Sequence, residues 1–211
     1  MKVAIHQPHY WPWLGYLHKM KEADVFVYLD KAAYEKNGFQ NRNRFLIDGK
    51  EHWLTIPVLT KGKMGQPIRN VKVNWDNFWN QKQYHTLLYN YSKAMKNENE
   101  TIRTFFEWDG KLLIEWSIKS VDILCQMFKI NTRKIFESEL DVNGTGSERL
   151  VNICRAVGAD TYLSGPTGRE YLKEEIFGNI KIEYIDWKPK SHLSALHFYL
   201  REETEELGKD N

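Results

Sequence analysis

The residues best suited to chemistry open the chain, in Ile5-His-Gln-Pro-His-Tyr-Trp-Pro-Trp-Leu-Gly-Tyr16 and the Lys19 that follows. His6 can change protonation near neutral pH. Gln7 offers directional amide contacts, and Tyr10, Trp13 and Tyr16 combine flat apolar bodies with polar tips. Pro8 and Pro12 stiffen the backbone, so that less conformational freedom is lost on ordering. For His6 the plainer alternative is a hydrogen-bonded core histidine at a strand end.

Three other groups share this potential. Asp30, with Tyr34 close behind, follows a second apolar run, and a carboxylate there could hold a ribose hydroxyl, an amine or a metal-bound water; a loop cap is the alternative. The run Gln40-Asn41-Arg42-Asn43-Arg44 alternates amides with guanidiniums, whose forked donors suit phosphate or a polyhydroxylated sugar. A polar edge strand facing water would look the same. Ser164-Gly165-Pro166-Thr167-Gly168-Arg169 reads as a strand, a glycine loop and a helix N-terminus, an arrangement that offers backbone N–H groups to an anion; a plain turn is the alternative. The lysine-serine pair of a Walker A loop, a GxGxxG fingerprint and a nucleophile elbow are all missing. No metal site is expected, since His6 and His9 stand three apart in a non-helical loop with no cysteine pair to support them.

The elements that must position these groups follow from periodicity. Lys2–Ile5 reads as a short buried strand. Leu14, Leu17 and Met20 recur at helical spacing, and Val25–Leu29 is a near-continuous apolar run of the kind found in parallel strands covered on both faces. Strand, helix and strand within thirty residues make a βαβ unit. Residues 30–44 read as polar loop, Trp53–Val58 as a strand broken by proline, Thr60–Pro67 as a mobile loop, and Ile68–Val73 as a half-exposed strand.

The middle reads as helical. Asp76 is expected to cap a helix running to about Ala94, and a second, marked by Leu113, Trp116, Val121, Leu124 and Phe128, is entered through Asp109-Gly110. Thr145–Glu148 and Thr167–Glu170 both read as capping boxes opening helices. Thr161–Leu163 and Ile180–Ile185 read as strands. The fold expected is α/β: a mostly parallel, Rossmann-like sheet flanked by helices. One domain over residues 1–211 would carry a helical subdomain inserted at about 75–130. Three of the four polar groups then leave strand ends on one sheet edge, where open α/β sheets bind ligands.

With 211 residues, folding should remove roughly 70% of the unfolded chain's surface from water. Cys125 and Cys154 fall in helix-like patterns and read as small buried apolar residues rather than a disulfide framework. No leader or membrane-spanning run is visible, so a cytoplasmic location is expected and no membrane insertion. A net charge of +2 sets up no strong global field. Arg42, Arg44, Lys61, Lys63, Arg69 and Lys72 nonetheless make the first half basic, while the tail from Arg201 to Asn211, with two basic and five acidic residues, reads as a solvated helix end. Eight tryptophans and eleven tyrosines, several beside the prolines of the first loop, suggest an aromatic-lined pocket.

With these motifs assembled, the chain resembles the WbqC-like family. The likeness rests on the opening segment with Lys19, Ala23-Asp-Val-Phe-Val-Tyr-Leu-Asp30, Gln40–Arg44, Trp53-Leu-Thr-Ile-Pro-Val58 and Gly158-Ala-Asp-Thr-Tyr-Leu-Ser-Gly-Pro-Thr-Gly168, and it extends to about residue 187. The family is associated with bacterial surface-polysaccharide loci. The resemblance implies a transferase that modifies an amino sugar, with glycyl transfer the associated role. The chain departs from the family pattern at Trp187-Lys-Pro-Lys-Ser-His192, which runs into Leu193-Ser-Ala-Leu196 without the usual Tyr-Pro-Gln stretch and implies a shortened binding loop. It departs again at Gln83, where a histidine is expected; no catalytic role is assigned to that helix. At the level of fold alone, the strand, Pro-rich loop and helix are also similar to nucleotidylyltransferases with a His-x-Gly-His loop, with a tyrosine here in place of the second histidine.

The leading expectation is transfer of an acyl or aminoacyl group to a nucleotide-linked amino sugar in O-antigen or other surface-polysaccharide (lipopolysaccharide) biosynthesis. His6 would be the general base and Asp30 would orient His6 or the amine. Arg42, Arg44 and the Ser164–Arg169 loop would hold phosphate, and Tyr10, Trp13 and Tyr34 would wall the sugar or base. The donor is left open between a carrier-protein thioester, a charged tRNA and a free amino acid with ATP. Two other readings stand beside it: an ATP-dependent ligase or nucleotidyltransferase using Mg²⁺, and a non-catalytic sugar-nucleotide or partner-binding module. No cofactor is required by the sequence, and the oligomeric state has no signature in it.

Overall fold

Val3, Ala4 and Ile5 leave the first strand no polar face, so it can only be central. In the computed structural model, which describes residues 1–189 and 191–203 (the side chains of residues 96–99 excepted), that strand is β1 (Lys2–His6) and it sits in the middle of a five-stranded sheet. β2 (Val25–Tyr28) pairs with it in parallel on one side and β6 (Thr161–Ser164) on the other. β5 (Arg133–Phe136) lies outside β2, and β7 (Lys181–Tyr184) outside β6, both again parallel. The order β5-β2-β1-β6-β7 makes this the Rossmann-like α/β sheet expected from the pattern, with helices on both faces.

Side chains alternate across the strands. Val3, Ile5, Val25 and Val27 pack in one cluster with Val151, Ile153 and Cys154 of α5 (Gly146–Ala156). Ala4, Phe26 and Tyr28 face the other way, into a larger core with Leu17 and Met20 of α1 (Leu14–Lys21) and Val121 and Leu124 of α4 (Leu113–Met127). Cys125 and Cys154 are buried free thiols, as read. Among the described residues, no helix is long and apolar enough to cross a membrane.

Between β2 and β5 the chain builds a hairpin and three helices. The hairpin pairs β3 (Arg42–Ile47) with β4 (Lys50–Thr55) through Asp48 and Gly49, both at positive φ (48° and 74°). Residues 42–44, read as loop, are therefore strand. α2 (Trp79–Asn90) starts later and ends earlier than expected: Phe78, at φ 48°, precedes it, and Asp76 does not cap it. α3 (Met95–Glu107) follows as a separate helix with no counterpart in the sequence reading, and α4 closes the group.

Other local expectations are corrected. Residues 68–70 form a 3-10 turn rather than a strand, because the Ile68 and Arg69 N–H groups donate to the Ala32 and Asp30 carbonyls and so tie the segment across the loop after β2. Pro166–Glu170 is also a single 3-10 turn, with no side-chain cap from Thr167; the Gly168 N–H closes it onto the Gly165 carbonyl at 3.0 Å. Thr145 stands at the start of α5 without a side-chain cap bond. The last described helix, α6 (Ala195–Arg201), is capped by Ser194 Oγ, which accepts from the Leu196 N–H at 3.2 Å. Of the acidic tail, residues 204–211 lie outside the described residues.

Candidate ligand site at the sheet switch point

The chain runs from β1 to β2 and β5 on one side of the sheet, then crosses to β6 and β7 on the other. The carboxyl ends of β1 and β6 therefore diverge, and the loops leaving them separate into a crevice. A cavity of about 610 Å³ lies there, within the range typical of small-ligand sites. One wall is the opening segment, with His6 and Gln7 leaving β1 and Trp13, Tyr16 and Lys19 on or beside α1. Tyr162, Gly165, Thr167 and Tyr171, from β6 and the turn after it, form the facing wall. Trp187, Lys188 and His192, on the segment after β7, close the rim.

Two features set the electrostatics. The described lining contains no Asp or Glu, while it carries Lys19, Lys188, His6 and His192. The charged group nearest the core, Lys19, is only 6% exposed, and its Nζ donates to the Ile5 carbonyl at 2.9 Å. Burial alone pushes its ammonium down to about 8.

His6 lies in a ring cluster, 4.9 Å from Tyr16 and 4.7 Å from His9 between centroids. Burial, reinforced by the Lys19 charge, pushes it down to about 3, so the imidazole is neutral at physiological pH. Its Nδ1 stands 3.1 Å from the Gln7 carbonyl oxygen. A carbonyl only accepts, so this bond places the proton on Nδ1 and leaves Nε2 as the basic nitrogen. His9 is also held neutral, by burial first and then by His6.

Gln7 is oriented by a relay. The Glu35 N–H donates to Gln40 Oε1 at 2.8 Å, so the other end of the Gln40 amide is its NH₂. That Nε2 donates to Gln7 Oε1, also at 2.8 Å. With its oxygen engaged, Gln7 has its amide N–H donors unspent among the described residues.

Of the residues singled out in the sequence, His6, Gln7, Trp13, Tyr16, Lys19, Gly165 and Thr167 line the cavity. The others lie elsewhere. Tyr10 is fully buried and donates to Gln83 Oε1 at 2.7 Å, which ties the opening loop to α2 and gives Gln83 a structural task. Asp30 accepts from the Ser138 N–H at 2.9 Å and faces Arg69 at 3.8 Å, pinning β2 to the turn after β5. Tyr34 packs half-buried against the core below the hairpin. Asn41 and Asn43 are buried, donating to the Ile56 and Trp11 carbonyls. Arg42 lies over the Trp53 ring at 4.1 Å and donates to the Asn37 carbonyl, and Arg44 pairs with Glu51 at 2.8 Å.

Ser164 and Gly168 sit behind the wall, packed so closely that a Cβ on Gly168 would meet Ser164 Oγ at 2.0 Å. Arg169 lies over Tyr184 at 4.0 Å, with Asp186 3.6 Å away. The sequence reading missed the lining supplied by Leu150, Tyr162, Tyr171 and the rim at Trp187, Lys188 and His192. Only the rim carried a signal, since it coincides with the stretch where the chain departs from the family pattern.

A model of the WbqC-like protein family matches residues 7–197, a span that takes in the cavity lining apart from Ile5 and His6. The chain belongs to the WbqC-like protein family. Among curated proteins it is similar to the uncharacterized protein Rv1507c of Mycobacterium tuberculosis (strain ATCC 25618 / H37Rv). The two are 29% identical over 194 residues, 88% of this chain and 81% of that one. No solved structure matches it. For this WbqC-like chain, chemistry must therefore be argued from the cavity itself.

Proposed function

We propose that this WbqC-like protein is a cytoplasmic transferase that moves an acyl or aminoacyl group, glycyl in particular, onto a nucleotide-linked amino sugar for surface-polysaccharide biosynthesis. The observation that carries this reading is the cavity lining: cationic and aromatic, free of carboxylates among the described residues, and provided with a neutral histidine whose free nitrogen is Nε2. A nucleotide-linked sugar presents the matching features, since its phosphates complement the cations and its base and sugar rings pack on Trp13, Tyr16 and Tyr162.

In the proposed step the sugar amine attacks the acyl carbonyl carbon and forms the new C–N bond. The bond from that carbon to the donor's sulfur or oxygen breaks. His6 Nε2 takes the amine proton and returns it to the departing atom. Held at about 3, His6 is a weak base. Anionic phosphates bound nearby would offset the Lys19 field and raise its basicity toward the working pH. The donor is a carrier-protein thioester, a charged tRNA, or a free amino acid activated by ATP.

The ATP-dependent ligase or nucleotidyltransferase reading is less well supported. A Mg²⁺ nucleotide site commonly shares one or two carboxylates with the metal, and the described lining offers none. Mass spectrometry after incubation of the protein with UDP- and dTDP-linked amino sugars and each donor class tests the proposal. An N-acylated sugar nucleotide is expected. Pyrophosphate release from ATP without any N-acylated product would favour the ATP-dependent reading, and binding without any product across the panel would favour a binding module.

A further inference from the structure

We propose that the Lys19 ammonium and the Gln7 amide N–H groups form an oxyanion subsite at the buried end of the cavity, receiving a phosphoryl or carboxylate group of the ligand. The proposal rests on the cavity being the ligand site, and it is independent of the transfer chemistry.

Lys19 is more than nine-tenths buried, yet it has no carboxylate partner among the described residues. Its Nζ carries three donors and spends one, on the Ile5 carbonyl. A buried ammonium without a counter-charge is unfavourable unless something supplies one. Among the described residues no fixed anion does so, and the Tyr162 ring, 5.9 Å from Nζ, offers only its π face. The titratable groups around the cavity are His6 on β1, Tyr16 on α1, Tyr162 on β6, Tyr171 after the turn, and Lys188 and His192 at the rim; none is a carboxylic acid. The missing negative charge is thus left for a ligand.

Gln7 adds direction. The relay from Glu35 through Gln40 holds its oxygen, so what its side chain has left to offer is N–H. An ammonium and an amide donor that line the same cavity are complementary to an oxyanion. The guanidiniums that might compete for this task are occupied elsewhere: Arg42 on Trp53 and Asn37, Arg44 on Glu51, and Arg169 over Tyr184.

An oxyanion at Lys19 favours its charged form. Because burial holds the Lys19 ammonium at about 8, binding of an anion near pH 8 should take up protons, and affinity should fall as pH rises through that value. Calorimetric titration of the intact protein with inorganic pyrophosphate, and separately with N-acetylglycine, reads both effects in buffers of different ionisation enthalpy.

The expected result is 1:1 binding of at least one probe, with proton uptake at pH 8. Lys19→Met should weaken it tenfold or more and abolish the uptake, and Gln7→Leu should weaken it severalfold. Binding of pyrophosphate assigns the subsite to the nucleotide phosphates, and binding of N-acetylglycine alone assigns it to an acyl-donor carboxylate. Binding of neither probe, or equal binding by Lys19→Met, overturns the proposal. Should Lys19→Met not fold, a flat affinity profile of the unaltered protein between pH 7 and pH 9.5 overturns it as well. Lys19-dependent binding with no transfer product would retain the subsite and remove the reaction proposed above.

Discussion

The cavity wall beside β1 and the outer face of the β3–β4 hairpin are built from the same kinds of residue, aromatic rings with cations among them, yet their cations are partnered differently. On the hairpin, Arg42 lies over Trp53, itself 42% exposed, and donates to Asn37, while Arg44 pairs with Glu51. Each guanidinium has a partner within the fold at its terminal nitrogens or over its face, although the Nε of both is buried without one among the described residues. In the cavity, among the described residues, Lys19 has one carbonyl and the Tyr162 ring at 5.9 Å but no counter-charge, His6 is neutral with a free Nε2, and Gln7 has unspent donors. Satisfied surface pairs stabilise a fold weakly. A buried charge that lines a cavity and lacks a counter-charge is what a ligand can satisfy. Residue type alone does not separate the two regions, whereas accounting for the partners does.

This contrast can be broken at several points. Removing the basic nitrogen with His6→Ala should lower the transfer rate by about 10²–10⁴-fold, measured as product per enzyme by mass spectrometry, with circular dichroism unchanged. Retention of the full rate on folded protein would remove His6 as the base. Gln40→Leu deprives the part-buried Glu35 N–H and the Gln7 amide of their partner. It should lower unfolding free energy by about 1–3 kcal/mol in urea titrations and weaken ligand binding as Gln7 loses its orientation.

Acid should act on the cavity before the hairpin. The folded-state pKa of His6 is pushed down to about 3 and that of His9 is lowered as well, against about 6.5 when unfolded. Between these values the unfolded chain binds more protons, so stability falls as pH drops below 6.5 and the loss is complete only below the folded pKa. Unfolding free energies from urea titrations at pH 7 and pH 5 should differ by about 2 kcal/mol from His6 alone, and His6→Phe should reduce that difference. The smallest effect is expected on the hairpin. Arg42→Ala with Arg44→Ala should cost about 1 kcal/mol or less in stability and leave cavity binding within about twofold. A large loss of binding there would mean that the hairpin belongs to the site.

Much of the sheet was legible because its central strands are apolar throughout. Val3–Ile5 and Val25–Val27 admit no other placement, and the switch point follows once β6 joins β1 from the far side. Strand β5, Arg-Lys-Ile-Phe, was not legible, since a four-residue edge strand carries too little pattern. Helix α3 was hidden by its polar first half. The hairpin did carry a signal, Asp48-Gly49 between two alternating runs, but the arginines drew attention to their charge instead of their period.

In the site, the legible part was the contiguous wall, where His6, Gln7, Trp13, Tyr16 and Lys19 come from one segment. Tyr10 was misplaced because a tyrosine that finds a buried partner 73 positions away, in Gln83, reads in sequence just like one facing a ligand. Tyr171, Trp187 and His192 reach the cavity only through the β6–β7 topology, which no local motif encodes.

Amide hydrogen exchange, followed with and without a saturating UDP-linked amino sugar, tests most directly which region holds the ligand. Slowed exchange is expected at His6–Gln7, at Gly165–Tyr171 and around Trp187, with β3 and β4 unchanged. Protection of β3 and β4 with none at His6–Gln7 or Gly165–Tyr171 would contradict the assignment of the cavity as the binding site.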